Sequence, residues 1–258
     1  MADEVVRAKN ALWGAVAGGD ISEETSAALR QVPDVAWAIG RAMAPDRYFD
    51  TEVLLVTVLV DDSWSIGSYP ARAEALRNGH NRMIEEAARQ RSDRTEVLFH
   101  TRFFTKAALG PYAAIDRAIA LSVENYSPDI GQTPLYQQSL ITLGSVIAQA
   151  RLLTERGCRV RTYTLLITDG ENNAGLTSAA DVRLMVVDML DFASNHIIAG
   201  MGIGEHYEWV FREMGIRRIY SAADPKALDD AFQEIRTDVG IAASSELAFK
   251  ELTAGSSQ

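Results

Sequence analysis

Apolar positions along the chain follow two alternating rhythms. Val53 to Val60 is an unbroken aliphatic and β-branched run with Thr57 as its one polar member, which predicts a strand buried on both faces. Arg159 to Thr168, centred on Tyr163-Thr164-Leu165-Leu166-Ile167, and His196 to Ile203 read the same way, and Arg218-Ile219-Tyr220 adds a short strand. Thr95 to Phe104 is β-rich and is read as one strand or as a strand plus the start of a hairpin.

Between these runs the spacing becomes helical. Ala71 to Arg91 carries Leu76, Met83 and Ile84 inward, Ala113 to Val123 is expected to be helical, and Tyr126 to Thr133 is a loop. Leu140, Leu143, Val146, Ile147, Ala150 and Leu153 mark a long helix after Pro134. Val182, Met185, Val186, Met189, Leu190 and Ala193 form another stripe, and a helix around Trp209 to Phe211 precedes the short strand. Asp224-Pro225 caps a last helix bearing Leu228, Phe232 and Ile235.

The first fifty residues are helical by pattern, with Leu12, Trp13 and Val16 on an apolar face that ends at Gly18-Gly19. Asp20 with Glu23 resembles a capping box for a second helix, which Pro33 interrupts. From Gly240 the tail reads as weakly specified and partly mobile. Strands alternating with helices imply right-handed crossovers. The expected fold is α/β, a doubly wound, Rossmann-like, mostly parallel sheet with helices on both faces. Residues 1–50 form an N-terminal helical extension packed on or beside the domain at 51–238, and 239–258 form the tail.

Composition narrows the function. A formal net charge of −10 argues against a basic nucleic-acid surface and favours cations or basic partners. The lone cysteine, Cys158, excludes an internal disulfide and a cysteine metal cluster. No basic start with an apolar run, and no apolar stretch near the roughly 20 residues of a membrane helix, leads to the expectation of a cytoplasmic protein without membrane contact.

Three segments follow a strand or open a helix: Asp61-Asp62-Ser63-Trp64-Ser65, Gly131-Gln132-Thr133-Pro134 and Thr168-Asp169-Gly170-Glu171. In a parallel sheet all three gather at the carboxyl edge, where ligands bind. Asp61, Ser63, Ser65, Thr133 and Asp169 offer hard oxygens, which suit Mg2+, Mn2+ or Ca2+ and do not suit zinc or copper. Singly, each has an ordinary structural reading: Asp61 and Ser63 as helix caps, Thr133 as the N-cap before Pro134, Asp169-Gly170 as a turn. Together, three independent element ends present oxygens.

Asp61-x-Ser63-x-Ser65, Gly131-x-Thr133 and Thr168-Asp169-Gly170, in that order, resemble the metal-ion-dependent adhesion site of von Willebrand factor type A (vWA) domains. The resemblance covers roughly Thr51 to Asp238. It implies one antiparallel edge strand, placed within Thr95 to Phe104. It implies that Ser63, Ser65 and Thr133 coordinate Mg2+ (or Mn2+ or Ca2+) through hydroxyls, while Asp61 and Asp169 act largely through waters. An ion so poorly neutralised should attract Asp or Glu from a protein partner. Such domains resemble adaptors beside an AAA+ ATPase or another gene-cluster component. Trp64, Gly131, Gly170 and Glu171 are the candidate partner contacts, and no catalytic residue is assigned.

Other motifs weigh less. Gly200-Met201-Gly202-Ile203-Gly204 lacks the full dinucleotide spacing and is read as close backbone packing. His80, His100, His196 and His206 show no metal-ligand spacing. Asp62, Asp129 and Glu171 are read as solvated charges or as supports around the site. The competing function is a metal-dependent hydrolase or phosphatase using Asp61 as nucleophile or ligand, against which stands the absence of a general base in the motifs.

Overall fold

A computed structural model describes residues 2–44, 52–105, 108–129, 131–170, 172–192, 195–204 and 207–254. The N-terminal helices are α1 (Ala2–Gly18), α2 (Glu23–Gln31) and α3 (Val35–Gly40). Strand β1 (Glu52–Val60) is followed by the single turn α4 (Trp64–Gly67), the long α5 (Pro70–Gln90), β2 (Thr95–Phe103) and β3 (Ala113–Ala114). Then come α6 (Leu135–Thr154), β4 (Arg159–Thr168), α7 (Ala179–Phe192), β5 (His196–Ile203), α8 (Glu208–Glu213), β6 (Arg218–Ala222), α9 (Pro225–Ser244) and α10 (Glu246–Ala254).

The sheet has six strands in the order β3-β2-β1-β4-β5-β6. All neighbours are parallel except β2 and β3, which pair antiparallel at Phe99 with Ala113 and Leu98 with Ala114. The doubly wound α/β expectation therefore holds. The antiparallel edge lies elsewhere than expected: Thr95–Phe103 is one parallel strand, and the edge is the two-residue β3.

β1 occupies the centre because its side chains are apolar on both faces. Leu54, Val56, Val58 and Val60 join the core under α5 and α9 with Leu76, Met83, Phe232 and Ile235. Leu59 and Leu166 face the opposite core, with Leu143, Val146 and Met185 of α6 and α7. Ala8, Ala11, Leu12, Ala15, Leu29 and Ile39 of the N-terminal helices share that second core, so these helices form an outer layer on α6. Thr57 satisfies its hydroxyl inside the sheet against the Tyr112 hydroxyl at 2.5 Å. No helix among the described residues is long and apolar enough to cross a membrane.

Three local expectations change. Ala113 to Val123 is a short strand, a 3-10 turn at Ile115–Arg117 and irregular chain. The reason is distant: the Asn81 side chain on α5 accepts from Leu121 N (2.8 Å) and donates to Leu121 O (2.9 Å), replacing helical partners. The N-cap of α2 is Ser22, whose hydroxyl accepts from Thr25 N at 3.2 Å, while Asp20 pairs with Arg151 at 2.7 Å. The tail is helical through Ala254, because Val239, Ala242, Ala243 and Phe249 are buried in the core beneath β1.

Candidate metal centre

β1 and β4 run in register, with Val60 opposite Ile167, and Asp61 N donates to Ile167 O at 3.1 Å. Asp61 and Asp169 thus leave the sheet side by side at its carboxyl edge. Asp61 Oδ1 accepts from Ser63 N at 2.8 Å, a turn that curls the chain over its own strand. Ser63 holds the N-cap position of α4 but makes no side-chain cap. Its hydroxyl meets that of Ser65 at 2.8 Å, and Ser65 Oγ donates to Asp169 Oδ1 at 2.7 Å. Asp61 Oδ2 accepts from Thr168 Oγ1 at 2.7 Å, tying the two strand ends together.

Thr133 enters from the loop before α6. It is buried, and the cap position belongs to Pro134, so the expected capping role is not taken. Asn173 Oδ1 accepts from Thr133 N at 2.6 Å and Asn173 N donates to Thr133 O at 3.2 Å, clamping this loop to the one after Asp169. Among the described residues the Thr133 hydroxyl has no hydrogen-bond partner. The structure therefore joins Asp61, Ser63, Ser65 and Asp169 by direct hydrogen bonds and connects Thr133 to them through the Asn173 loop.

The site is short of positive charge. Burial raises the Asp61 carboxyl above the ordinary range against the hydrogen bonds of Ser63 and Thr168. Burial likewise pushes Asp169 up to about 6; the Ser65 hydrogen bond opposes this, Asp61 adds to it, and Arg72 relieves it in part. Arg72 Nη1 lies 3.5 Å from Asp169 Oδ2 and its guanidinium stacks over Tyr69, 4.3 Å from the ring centre.

Several supporting residues lay beyond the motif. Asp62, read as solvated or as a support, is 1% exposed: its carboxylate accepts from Thr105 N (2.9 Å) and Thr105 Oγ1 (2.5 Å) beyond β2. Tyr126 donates to Asp61 O at 2.6 Å. Gly67 lets the loop before Thr133 approach α4, since a Cβ there would lie 1.9 Å from Pro128 O. The signal for that glycine was only its place in the turn after Ser65. Gly200 is also a packing glycine, because a Cβ would lie 2.3 Å from the Phe211 ring, in line with the close-packing reading.

The donor set fits a hard dication. Octahedral Mg2+ at roughly 2.0–2.1 Å from its ligands needs neighbouring oxygens about 2.9 Å apart. The Ser63–Ser65 and Ser65–Asp169 oxygen separations, 2.8 and 2.7 Å, are close to that edge. Among the described residues no three His, Cys, Asp or Glu side chains gather as a metal cluster. Trp64 is 65% exposed beside the serines. Gly131 is exposed with open space about its Cα, and Gly170 N donates to Thr168 Oγ1 at 3.1 Å. Glu171 and His206 lie outside the described residues.

No protein-family model and no curated protein sequence matches the chain. Solved structures do. The PilB minor pilin from Streptococcus sanguinis matches with a TM-score of 0.53 at 14% identity, over 76% of this chain and 63% of the pilin. The open conformation of the pilus adhesin SpaC from Lactobacillus rhamnosus GG gives 0.52 at 14% identity, over 77% and 31%. A von Willebrand factor type A structure from Catenulispora acidiphila gives 0.49 at 17% identity, over 73% and 43%. The pilin and the pilus adhesin share this α/β fold, and the chain spans less than two thirds of each of these neighbours.

Proposed function

We propose that this chain is a divalent-cation-dependent protein-binding module of the adaptor kind. Ser63, Ser65 and Thr133 hold the ion through their hydroxyls, and Asp61 and Asp169 orient its waters. Mg2+ is the leading cation, with Mn2+ or Ca2+ served by the same oxygens. The observation that carries this reading is the unbroken line of hydrogen bonds from Ser63 through Ser65 to Asp169. It assembles ligand oxygens from two strand ends on a buried, electron-rich floor.

When bound, the ion offers an open position to a carboxylate. The partner then supplies Asp or Glu, and an AAA+ ATPase is one class of partner to test. Binding is favoured over hydrolysis by the positions of the described histidines. His80 is bonded to Thr101 and Asn81, His100 to Gly110 O and His196 to Thr162, all in structural roles.

The test is capture of a protein from native lysate with Mg2+ and with chelator, at fixed ionic strength, using the parent chain and Asp61→Ala. The reading expects a Mg2+-dependent partner that Asp61→Ala fails to retain. Equal capture in all arms overturns it.

A further inference from the structure

A cleft lies at the end of the sheet opposite the metal centre, where β5 and β6 begin. The first pair in the ladder between these strands is Ala199 with Arg218, so His196, Ile197 and Ile198 have register partners on β4 and none on β6. The cleft opens at this uncovered strand end, between the second halves of α7 and α10, and encloses about 590 Å3. Its apolar walls are Val186, Val187 and Leu190 of α7 with Ile197 and Ile198 of β5. Ile197 belongs to the core under α9 and Ile198 to the core under α7, so the cleft wraps round the strand edge. Val187 and Leu190 remain 45% and 39% exposed. His196, also in the lining, is buried and bonded through Nδ1 to Thr162 Oγ1 at 2.7 Å. Burial lowers it to about 4, so it brings no charge at neutral pH.

The charged lining is cationic: Arg217, Arg218 and Lys250 stand against one acid, Asp191. Arg218 is held by Asp238, and Lys250 by Glu246 at 2.6 Å. Arg217 is exposed and makes no ion pair among the described residues. We infer that this cleft binds a single-chain amphipathic carboxylate, with its hydrocarbon chain along Val187, Leu190 and Ile198 and its carboxylate on Arg217 beside Lys250. The volume is that of a small-molecule site, roughly 300–1,000 Å3. An apolar chain ending in one anion matches apolar walls that carry one uncommitted cation. A neutral apolar molecule leaves Arg217 unused, and an inorganic anion leaves the walls wet. The guanidinium fork of arginine takes a carboxylate through paired N–H bonds, which fixes the ligand's direction in the cleft. The α10 wall follows residue 238, so this site lies outside the stretch that resembles vWA domains.

The experiment is isothermal titration of hexanoate, octanoate, decanoate and octan-1-ol into the full chain in chelator, which keeps any metal from taking the carboxylate. Octanoate is also titrated into Arg217→Glu and Leu190→Gln, each checked for folding by circular dichroism. Affinity should rise about fourfold per added methylene, the equivalent of burying one CH2. Octan-1-ol should bind at least about fivefold more weakly than octanoate, and Arg217→Glu should lose at least about tenfold. Leu190→Gln should lose at least about fivefold through its wetter wall. The inference is overturned by no binding to the folded parent, by affinity independent of chain length, by equal affinity for alcohol and carboxylate, or by a folded variant that binds as the parent does.

Discussion

Ser65 donates its hydroxyl proton to Asp169 Oδ1 at 2.7 Å across 104 residues of chain. That bond joins the turn after β1 to the end of β4 and holds the Ser65 hydroxyl against the Asp169 carboxylate. Ser65→Ala removes one ligand and the bridge together. The expected outcome is a loss of Mn2+ affinity of at least about tenfold, with about 1.5–3 kcal/mol lost in stability because the bond's acceptor is a buried carboxylate. Mn2+ titration and urea denaturation of the same sample check the two parts.

Asp62 is a neighbour of the motif with a different task. Its carboxylate takes both the N–H and the hydroxyl of Thr105, pinning the chain after β2 to the site. Asp62→Ala is expected to destabilise the fold by about 1–3 kcal/mol, because those donors lose a charged acceptor. Its effect on Mn2+ affinity should be several-fold smaller than that of Ser65→Ala. Urea midpoints set against titration measure the split.

Gly67 marks the closest backbone approach in the site. A methyl group there would lie 1.9 Å from Pro128 O, so Gly67→Ala must push the loop leading to Thr133 off α4. The expected result is about 1–3 kcal/mol of destabilisation, in line with overpacking a tight contact. Mn2+ affinity should fall with it, unlike in Asp62→Ala, and calorimetry with titration distinguishes the two.

Acid lability follows from the buried histidines. Burial lowers His80 to about 4, His100 to about 3 (with help from the Arg102 charge) and His196 to about 4, each from an ordinary 6.5. Below pH 6.5 the unfolded chain gains protons that the folded chain refuses, so this stability is complete above 6.5 and is lost as pH falls towards 4. Asp169, raised to about 6, works the other way: without metal, the folded chain takes its proton first and regains stability on acidification from 6. Asp61 has the same sign. The three histidine shifts together exceed that of Asp169, so acidification from pH 6.5 to 4 should cost the metal-free protein on the order of several kcal/mol. Urea midpoints across that window check it, and a flat or rising profile contradicts it.

The parts legible in the sequence were those encoded locally. Val53 to Val60 is apolar at every position but one, so its burial and its oxygen-bearing end could be read without knowing its neighbours. The same holds for Arg159 to Thr168 and the carboxylate after it. What escaped was set by distant partners. Ala113 to Val123 has helical composition, and Asn81, 40 residues away from Leu121, claims the backbone groups a helix would need. The tail looked weak because Phe249 has no local pattern around it, yet it is buried in the core beneath β1. Asp62 could not be told from a solvated aspartate, because Thr105 lies 43 residues on. Thr133 before Pro134 has the local signature of a helix cap, and only Asn173 reveals that its backbone is clamped instead.

Asp61, Ser63, Ser65, Thr133 and Asp169 are proposed to bind one divalent cation. Isothermal titration of Mg2+ or Mn2+ into the parent chain and into Asp61→Ala tests it most directly. A single saturable site is expected in the parent and none in Asp61→Ala, with both proteins folded by circular dichroism. Equal binding by the two, or no binding by the folded parent, would contradict it.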